Sequence, residues 1–422
     1  MQARSRGLDA LSRGGLATLA VTAGLALGAC GVGGSEGGSG PRAINWYAFN
    51  EPGGSYQMAV DDCNEQADGR YTINYVKLPN IADQQRELLV RRLAAEDDDI
   101  DVMALDVIWT AEFAEAGWIK SWEGERRQTA EEGKLEGPLE TVRYQDRIWA
   151  IPFTSNTQLL WYRKDRVDAP PDDFTWDEMI DQAAENGTAI EVQAAQYEGL
   201  TVWINALIAG AGGEIVNQAG EAQVDESAAR AAEIESRLAA EAAPPGLSTN
   251  REDQARIGFE SGRSDYQINY TFIYPSAEAI EGFQEKIGWA RYPRTDKGQP
   301  SRPPLGGFNL AVSEFSNNPE LAFEAAECLA NEDHQALAAE LGGLPPTTES
   351  VYEDEKVTKA FPFADLLRES IDNAGPRPIT PAYSDISLAI QKTYHPPAGV
   401  DPDGIVEKLR DRIEKAGEGK IF

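Results

Sequence analysis

Apolar and polar positions change rhythm repeatedly along this chain. AINWYAF (43–49) and YTINYVKLP (71–79) are short runs rich in aromatic and β-branched residues and predict strands. Between them, after a Pro-Gly-Gly turn, SYQMAVDDCNEQADG carries helical spacing, and DQQRELLVRRLAAE predicts an amphipathic helix with Leu88, Leu89 and Leu93 on one face. IDVMALDVIW is a continuous apolar run, expected as a buried strand whose carboxyl end delivers Asp106 and Trp109. The helix TAEFAEAGWI follows, and then RIWAIPFTSNTQLLWYRKD, a strand-like crossing from a first domain to a second.

From Thr175 to about Pro304 the pattern is helix-rich. TWDEMIDQAAENG is started by Thr175 and closed by Gly187, and VWINALIAGAGGEIV ends in a glycine turn. LGGFNLAVSEF predicts a strand. NPELAFEAAECLANEDHQALAAEL predicts one helix returning to the first domain, and Pro-punctuated helices from GGLPPTTES onward close over the second. Alternating strands and helices without an internal repeat predict an α/β architecture.

The amino-terminal end follows another logic. Arg4, Arg6 and Arg13 precede an uncharged apolar run from Leu16 to Leu27, too short to span a bilayer as a stable helix. A basic region, a short apolar region and small residues before a cleavage point form a secretory signal. Here Leu27-Gly28-Ala29-Cys30 resembles the bacterial lipobox, which implies cleavage before Cys30 and its acylation. Two or three acyl chains, at about 0.8 kcal/mol per buried methylene, hold a protein on a membrane without a spanning helix. Residues 1–29 are then a signal peptide, and 30–42, Gly/Ser-rich from Gly31 to Gly40, a lipidated flexible tether. The expected location is the outer face of the cell membrane.

Charge narrows the partners. The chain carries 38 Lys and Arg against 70 Asp and Glu, a formal net charge of −32, and losing residues 1–29 makes it more acidic still. Phosphate backbones would meet a field of their own sign, so nucleic acid is excluded as a partner. Cys63 and Cys328 remain besides Cys30; the compartment permits a disulfide, and two buried free thiols are the alternative. Neither has a Cys or His neighbour at metal-ligand spacing, so no metal and no cofactor are expected. The acidic run Asp97-Asp98-Asp99 reads as a solvated turn, since it lacks the spacing of a calcium loop.

Catalytic material is sparse. His334 and His395 are the only histidines and belong to no HExxH pattern. Gly33-Gly34-Ser35-Glu36-Gly37 matches GxSxG but lies in the tether, and Gly210, Gly212 and Gly213 lack the Lys-Ser/Thr of a phosphate loop. Aromatics gather instead at strand ends and the loops after them: Trp46, Tyr47, Phe49, Trp109, Tyr270, Phe272 and Phe308, in company with Asn50, Glu51, Asp106, Asn156 and Arg377. In open α/β sheets ligands bind beyond the carboxyl ends of strands. Flat apolar faces beside carboxylates, amides and a guanidinium suit a neutral sugar, whose C–H faces stack and whose hydroxyls pair with planar polar groups.

DVMALDVIWTAEFAEAGWIKSW, IWAIPFTSNTQLLWYRKD, FTWDEM, PLGGFNLAVSEFSNNPELAFEAAECLA and GGLPP resemble, in order, blocks of the extracellular solute-binding proteins of sugar importers, the maltose-binding-like family. LSTNREDQARIGFESG, QINYTFIYPSA and AGPRPITPAYSDIS are similar to its actinobacterial trehalose-binding lipoproteins. The resemblance implies a periplasmic-binding-protein-like fold: two lobes joined by a hinge, a ligand cleft between them, no catalysis, and delivery of the sugar to ABC permease transmembrane subunits. The expected lobes interleave, 43–152 plus 305–344 forming one and 153–304 plus 345–422 the other, in a monomer. Carried over by matching position, Asp106, Asn156, Glu252 and Arg377 hold sugar hydroxyls. Gly306, Gly307 and Gly343 bring backbone close to the ring, Tyr270 stands where Trp is expected, and Phe308, Asn50, Glu51 and Gln85 complete the candidate set. The expected ligand is a neutral disaccharide, trehalose foremost. A maltose-type oligosaccharide is the neighbouring alternative. A secreted glycoside hydrolase, which needs two carboxyl groups about 5–9.5 Å apart across one glycosidic bond, and a ligand-free envelope lipoprotein are alternatives of different classes.

Overall fold

A computed structural model describes residues 41–217 and 220–419. The signal segment, Cys30 and the tether through Gly40 lie outside the described residues. Among the described residues ten strands appear in chain order: β1 (Arg42–Phe49), β2 (Tyr71–Leu78), β3 (Val102–Asp106), β4 (Arg143–Tyr144), β5 (Arg147–Ile148), β6 (Ile151–Arg163), β7 (Ala189–Glu191), β8 (Ser264–Tyr270), β9 (Ile287–Ala290) and β10 (Leu305–Val312). Eight of them form one sheet in the order β2-β1-β3-β10-β6-β8-β7, with β9 also paired to β6; β4 and β5 make a separate hairpin. β1 runs parallel to β2 and β3, whereas β10 is antiparallel to both β3 and β6.

The crossing segment becomes a single strand of 13 residues. The first half of β6 pairs with β10, and its second half pairs with β8 and β9. β3 is buried on both faces, Val102 through Leu105 having no exposure, which is why its sequence is uniformly apolar rather than alternating.

Helices cover the sheet. The one at Trp176–Glu185 starts as the sequence predicts: Thr175 Oγ1 accepts from Glu178 N at 3.2 Å while Glu178 Oε2 accepts from Thr175 N at 3.0 Å, a reciprocal capping box, and Gly187 takes φ 65° after its end. The helix expected over 318–341 is instead two, Pro319–Leu329 and Glu332–Gly342. Asn331 breaks it, because its side chain accepts from His334 N at 2.8 Å and so caps the second helix. No helix among the described residues is long and apolar enough to cross a membrane.

The buried apolar residues fall into three clusters. One joins β1–β3, the start of β6 and the end of β10; a second joins the end of β6 to the helices Glu198–Gly210, Glu226–Glu241, Tyr383–Tyr394 and Ile405–Gly417. The third, around Trp161, Phe259, Phe283, Phe361 and Leu367, lies beside β6 and also takes in Ala336 and Ala339. A disulfide joins Cys63 to Cys328 with Cα atoms 6.0 Å apart. Buried His334 lies against it, its Nδ1 2.8 Å from Cys328 O and its Nε2 2.9 Å from Asp62 Oδ2.

Candidate functional site

Four strands of the central sheet contribute to one cavity of about 250 Å³. From β3 comes Asp106, from β6 Asn156, from β8 Tyr270, and from β10 the run Gly306-Gly307-Phe308. Asp106 and Phe308 are direct partners across the β3–β10 ladder, and Gly306 faces Asn156 across the β10–β6 ladder. The register slips between Phe308 and Asn309, a bulge that re-aims the strand at the cavity wall.

The two neighbouring glycines do different jobs. Gly307 has φ 133°, and a Cβ there would sit 2.1 Å from Thr154 O, so only glycine fits. At Gly306 a Cβ would meet nothing closer than 3.7 Å, its neighbours being the cavity residues Asn156 and Arg377. Its missing side chain leaves room that a ligand can use.

Arg377, almost fully buried, reaches the cavity from the segment before the helix Tyr383–Tyr394. Gly375 N donates to Pro303 O at 2.8 Å and Asn205 Nδ2 to Pro376 O at 3.3 Å, which fixes that segment. Arg377 Nη2 donates to Asp106 Oδ1 at 3.1 Å and Nη1 to Glu198 Oε1 at 2.7 Å. The guanidinium thereby ties the end of β3, in the first apolar cluster, to the helix Glu198–Gly210 of the second. Its Nε is buried with no partner among the described residues, as is Asn156 Oδ1.

Electrostatics of the cavity are dominated by burial. Glu198 and Glu252 are both pushed above the usual carboxylate range by desolvation, which the Arg377 charge partly offsets at Glu198. Desolvation also raises Asp83, against the opposing pull of Arg251. Burial holds the Tyr197 and Tyr270 phenols above their usual value, reinforced by the Glu252 carboxylate, so both are neutral donors.

Of the residues expected from the sequence, Asp106, Asn156, Glu252, Tyr270, Gly306, Gly307, Phe308 and Arg377 come together here. Asn50, Glu51, Gln85 and Gly343 are not among the lining residues. The carboxylate of Glu51 is committed locally: it accepts from Gly53 N, and its Oε2 accepts from both Ser55 N and Ser55 Oγ at 2.8 Å, closing the turn into the helix Ser55–Gln66. Gly343, at φ 63°, ends the helix Glu332–Gly342, and its carbonyl accepts from Thr271 Oγ1 at 2.7 Å. Gln85 is buried outside the cavity lining, its Oε1 without a partner among the described residues.

Most of the candidate aromatics prove to be core or wall. Trp46 and Trp109 are buried in the first apolar cluster, and Phe272 packs on the third. Phe49 supports the site indirectly by stacking on Phe308, with ring centroids 4.8 Å apart.

The sequence reading missed the rest of the wall. Asn80 and Ile81 line the cavity from the turn after β2, Ala82 and Asp83 from the start of the helix Ala82–Leu93, and Tyr197, Glu198, Gly199 and Val202 from the start of another helix. Arg251 stacks on the Tyr197 ring, 4.7 Å from its centroid. Tyr197-Glu198 just ahead of an apolar helix is the kind of signal that could have found them, because side chains at a helix start beside a sheet end face the same crevice.

Residues 50–336 match the family model of the bacterial extracellular solute-binding protein. A probable ABC transporter-binding protein of Deinococcus radiodurans is 29% identical over 373 residues, covering 81% of this chain and 86% of the relative. Among solved structures, maltose-bound MalE3 of T. maritima aligns with a TM-score of 0.79 at 26% identity, over 88% of this chain and 99% of that one. The GacH receptor of Streptomyces glaucescens, solved unliganded and with acarbose, aligns with a TM-score of 0.77 at 20% identity over 90% of this chain and 99% of that one, a likeness of fold. The fold is thus the two-lobed α/β architecture of the maltose-binding-like proteins. With that architecture and a family match across most of its length, this chain belongs to the bacterial extracellular solute-binding proteins.

Proposed function

We propose that this protein is the capture subunit of an ABC-type sugar importer, tethered outside the cell by acylated Cys30, and that it closes two lobes around a neutral disaccharide, trehalose foremost. The lobes are residues 43–152 with 305–344 and 153–304 with 345–422, and the closed monomer hands its sugar to the permease. The observation that carries the reading is the cavity itself. Asp106, Asn156 and Arg377 offer planar polar groups in a cavity that the Tyr270 and Phe308 side chains also line, at the meeting point of two apolar cores. Vicinal hydroxyls pair with such groups while C–H faces lie on rings. Its volume of about 250 Å³ lies just below the range usual for small-molecule sites, roughly 300–1,000 Å³, and favours a small sugar such as a disaccharide over a long oligosaccharide.

Charge supports neutrality. Four carboxylates, Asp83, Asp106, Glu198 and Glu252, face two guanidiniums, Arg251 and Arg377. A phosphorylated sugar, at about −1.5 to −2 near pH 7, would be buried against an excess of its own sign. Maltose is the second reading, favoured by the maltose-bound relative at 26% identity. Thermal shifts with trehalose, maltose, mannitol and glycerol phosphate, with analysis of the incubated sugars for cleavage, test the reading. Stabilisation by trehalose with the sugar recovered intact is expected; stabilisation by none of the sugars, or cleavage, would overturn it.

A further inference from the structure

Glu198 lines the cavity, yet both of its carboxylate oxygens are spoken for. Oε1 accepts from Arg377 Nη1 at 2.7 Å and from the Tyr383 hydroxyl, and Oε2 accepts from Ser387 Oγ at 2.6 Å. Tyr383 and Ser387 stand one turn apart on the helix Tyr383–Tyr394, so both present donors on one face. Ser387 is held in turn by Thr201 Oγ1, at 2.9 Å, from the helix that carries Glu198. Three of the roughly four acceptor sites of this carboxylate are thus taken within the protein, which leaves it little to offer a sugar hydroxyl. Asp106 differs: Oδ1 takes Arg377 and the backbone N–H of Ile108, while Oδ2 takes no hydrogen bond from the described residues.

We infer that Glu198 is a positioning residue, which holds Arg377 so that the guanidinium spans from the Glu198 helix to Asp106 and leaves Asp106 Oδ2 directed to the ligand. This rests on the sugar-binding reading above and adds to it a residue that acts on the ligand only through Arg377. The physical cause is competition. Arg377 is buried between two carboxylates, and without the charge of Glu198 it pairs more completely with Asp106, taking the acceptor the sugar needs.

A double-mutant cycle read by calorimetric titration with trehalose tests it. Glu198→Gln keeps the shape and removes the charge, and is expected to weaken binding about tenfold, an order of effect usual for one buried charge-assisted contact. Arg377→Ala weakens it further, and the double variant binds no more weakly than Arg377→Ala alone. Ser387→Ala, which removes a single donor from Oε2, provides a milder second probe and is expected to weaken binding about two- to threefold, again with no added effect on Arg377→Ala. Losses that multiply in the double variants, or parental affinity in Glu198→Gln, would overturn the inference while leaving the sugar site intact. Parental affinity in Arg377→Ala would instead show the site misplaced, and no binding of any disaccharide by the parent would refute the functional reading; either result removes the ground for Glu198 as well.

Discussion

Replacing Gly306 by alanine separates the ligand's claim on the cavity from the protein's own packing needs. An added Cβ stands 3.7 Å from Asn156 Cβ and Asn156 O and 4.0 Å from Arg377 Nη2, all ordinary van der Waals distances. Gly306 also lies outside the left-handed backbone region. Folding therefore meets no clash, and losing glycine's freedom in the unfolded chain adds about 0.4–1 kcal/mol of stability. The ligand meets a different situation. The methyl occupies the space between Asn156 and Arg377, so a sugar seated on the Gly306 backbone must shift, with a penalty of about 1–3 kcal/mol for overpacking a fitted site. That range corresponds to roughly 5- to 150-fold in Kd.

Gly307 is the control, one residue along. Its Cβ would fall 2.1 Å from Thr154 O at φ 133°, so Gly307→Ala must displace β6 and is expected to destabilise the fold by about 3 kcal/mol or more. Calorimetric titration and thermal melting of both variants read the two effects separately. Gly306→Ala should melt at or slightly above the parent and bind trehalose at least fivefold more weakly. Unchanged affinity would refute the placement of the ligand against this strand, and a fall in melting temperature would refute the packing argument.

Asp106→Ala removes the partner of Arg377 Nη2 and the free Oδ2 together, and is expected to lower sugar affinity by roughly 2 kcal/mol; titration within twofold of the parent would contradict it. Reducing the Cys63–Cys328 bridge, which spans 265 residues of sequence, should cost about 2–5 kcal/mol of stability, read as a lower denaturation midpoint in reductant, and equal midpoints would count against it. Glu235 is buried beside the second apolar cluster, both oxygens without a hydrogen-bond partner among the described residues, and desolvation lifts it well above its ordinary 4.5. The folded state therefore holds a proton that the unfolded state releases, so stability falls as pH rises from about 4.5 toward the raised value. Glu235→Met should stabilise the protein near neutral pH by about 1–3 kcal/mol and flatten that decline in melting temperature; a slope unchanged by the substitution would contradict the assignment.

β1, β2 and β3 were legible in the sequence because β3 is apolar up to Asp106 and β1 and β2 are rich in aromatic and β-branched residues, whereas the short β7 and β9 fall in a stretch whose pattern reads as helix-rich. The helix at Trp176 was legible from its capping box, a purely local signal. Asn331 was not, because a single side chain breaks an otherwise unbroken helical pattern there. Asp106 could be placed in the site from its position at the end of β3, whereas Phe308 sits within β10, and Glu198, Tyr197 and Arg251 enter from helix starts whose approach to the sheet depends on packing distant in sequence. Glu51 has the chemistry of a sugar ligand and the neighbourhood of one, but the Pro-Gly-Gly-Ser turn after it supplies three donors to its carboxylate first. Trp46 and Trp109 teach the same lesson for aromatics: Trp46 falls within β1 rather than at its end, and Trp109, just past the end of β3, is a core ring all the same.

Paired calorimetric titrations of the purified protein, one with trehalose and one with trehalose 6-phosphate, test the central claim most directly. A neutral disaccharide can satisfy Asp106, Asn156 and Arg377 by direct hydrogen bonds, while a phosphate brings its charge among four carboxylates. One-to-one binding of trehalose with none of the phosphorylated sugar is the predicted result. Tighter binding of trehalose 6-phosphate, or no binding of the neutral sugar, would contradict it.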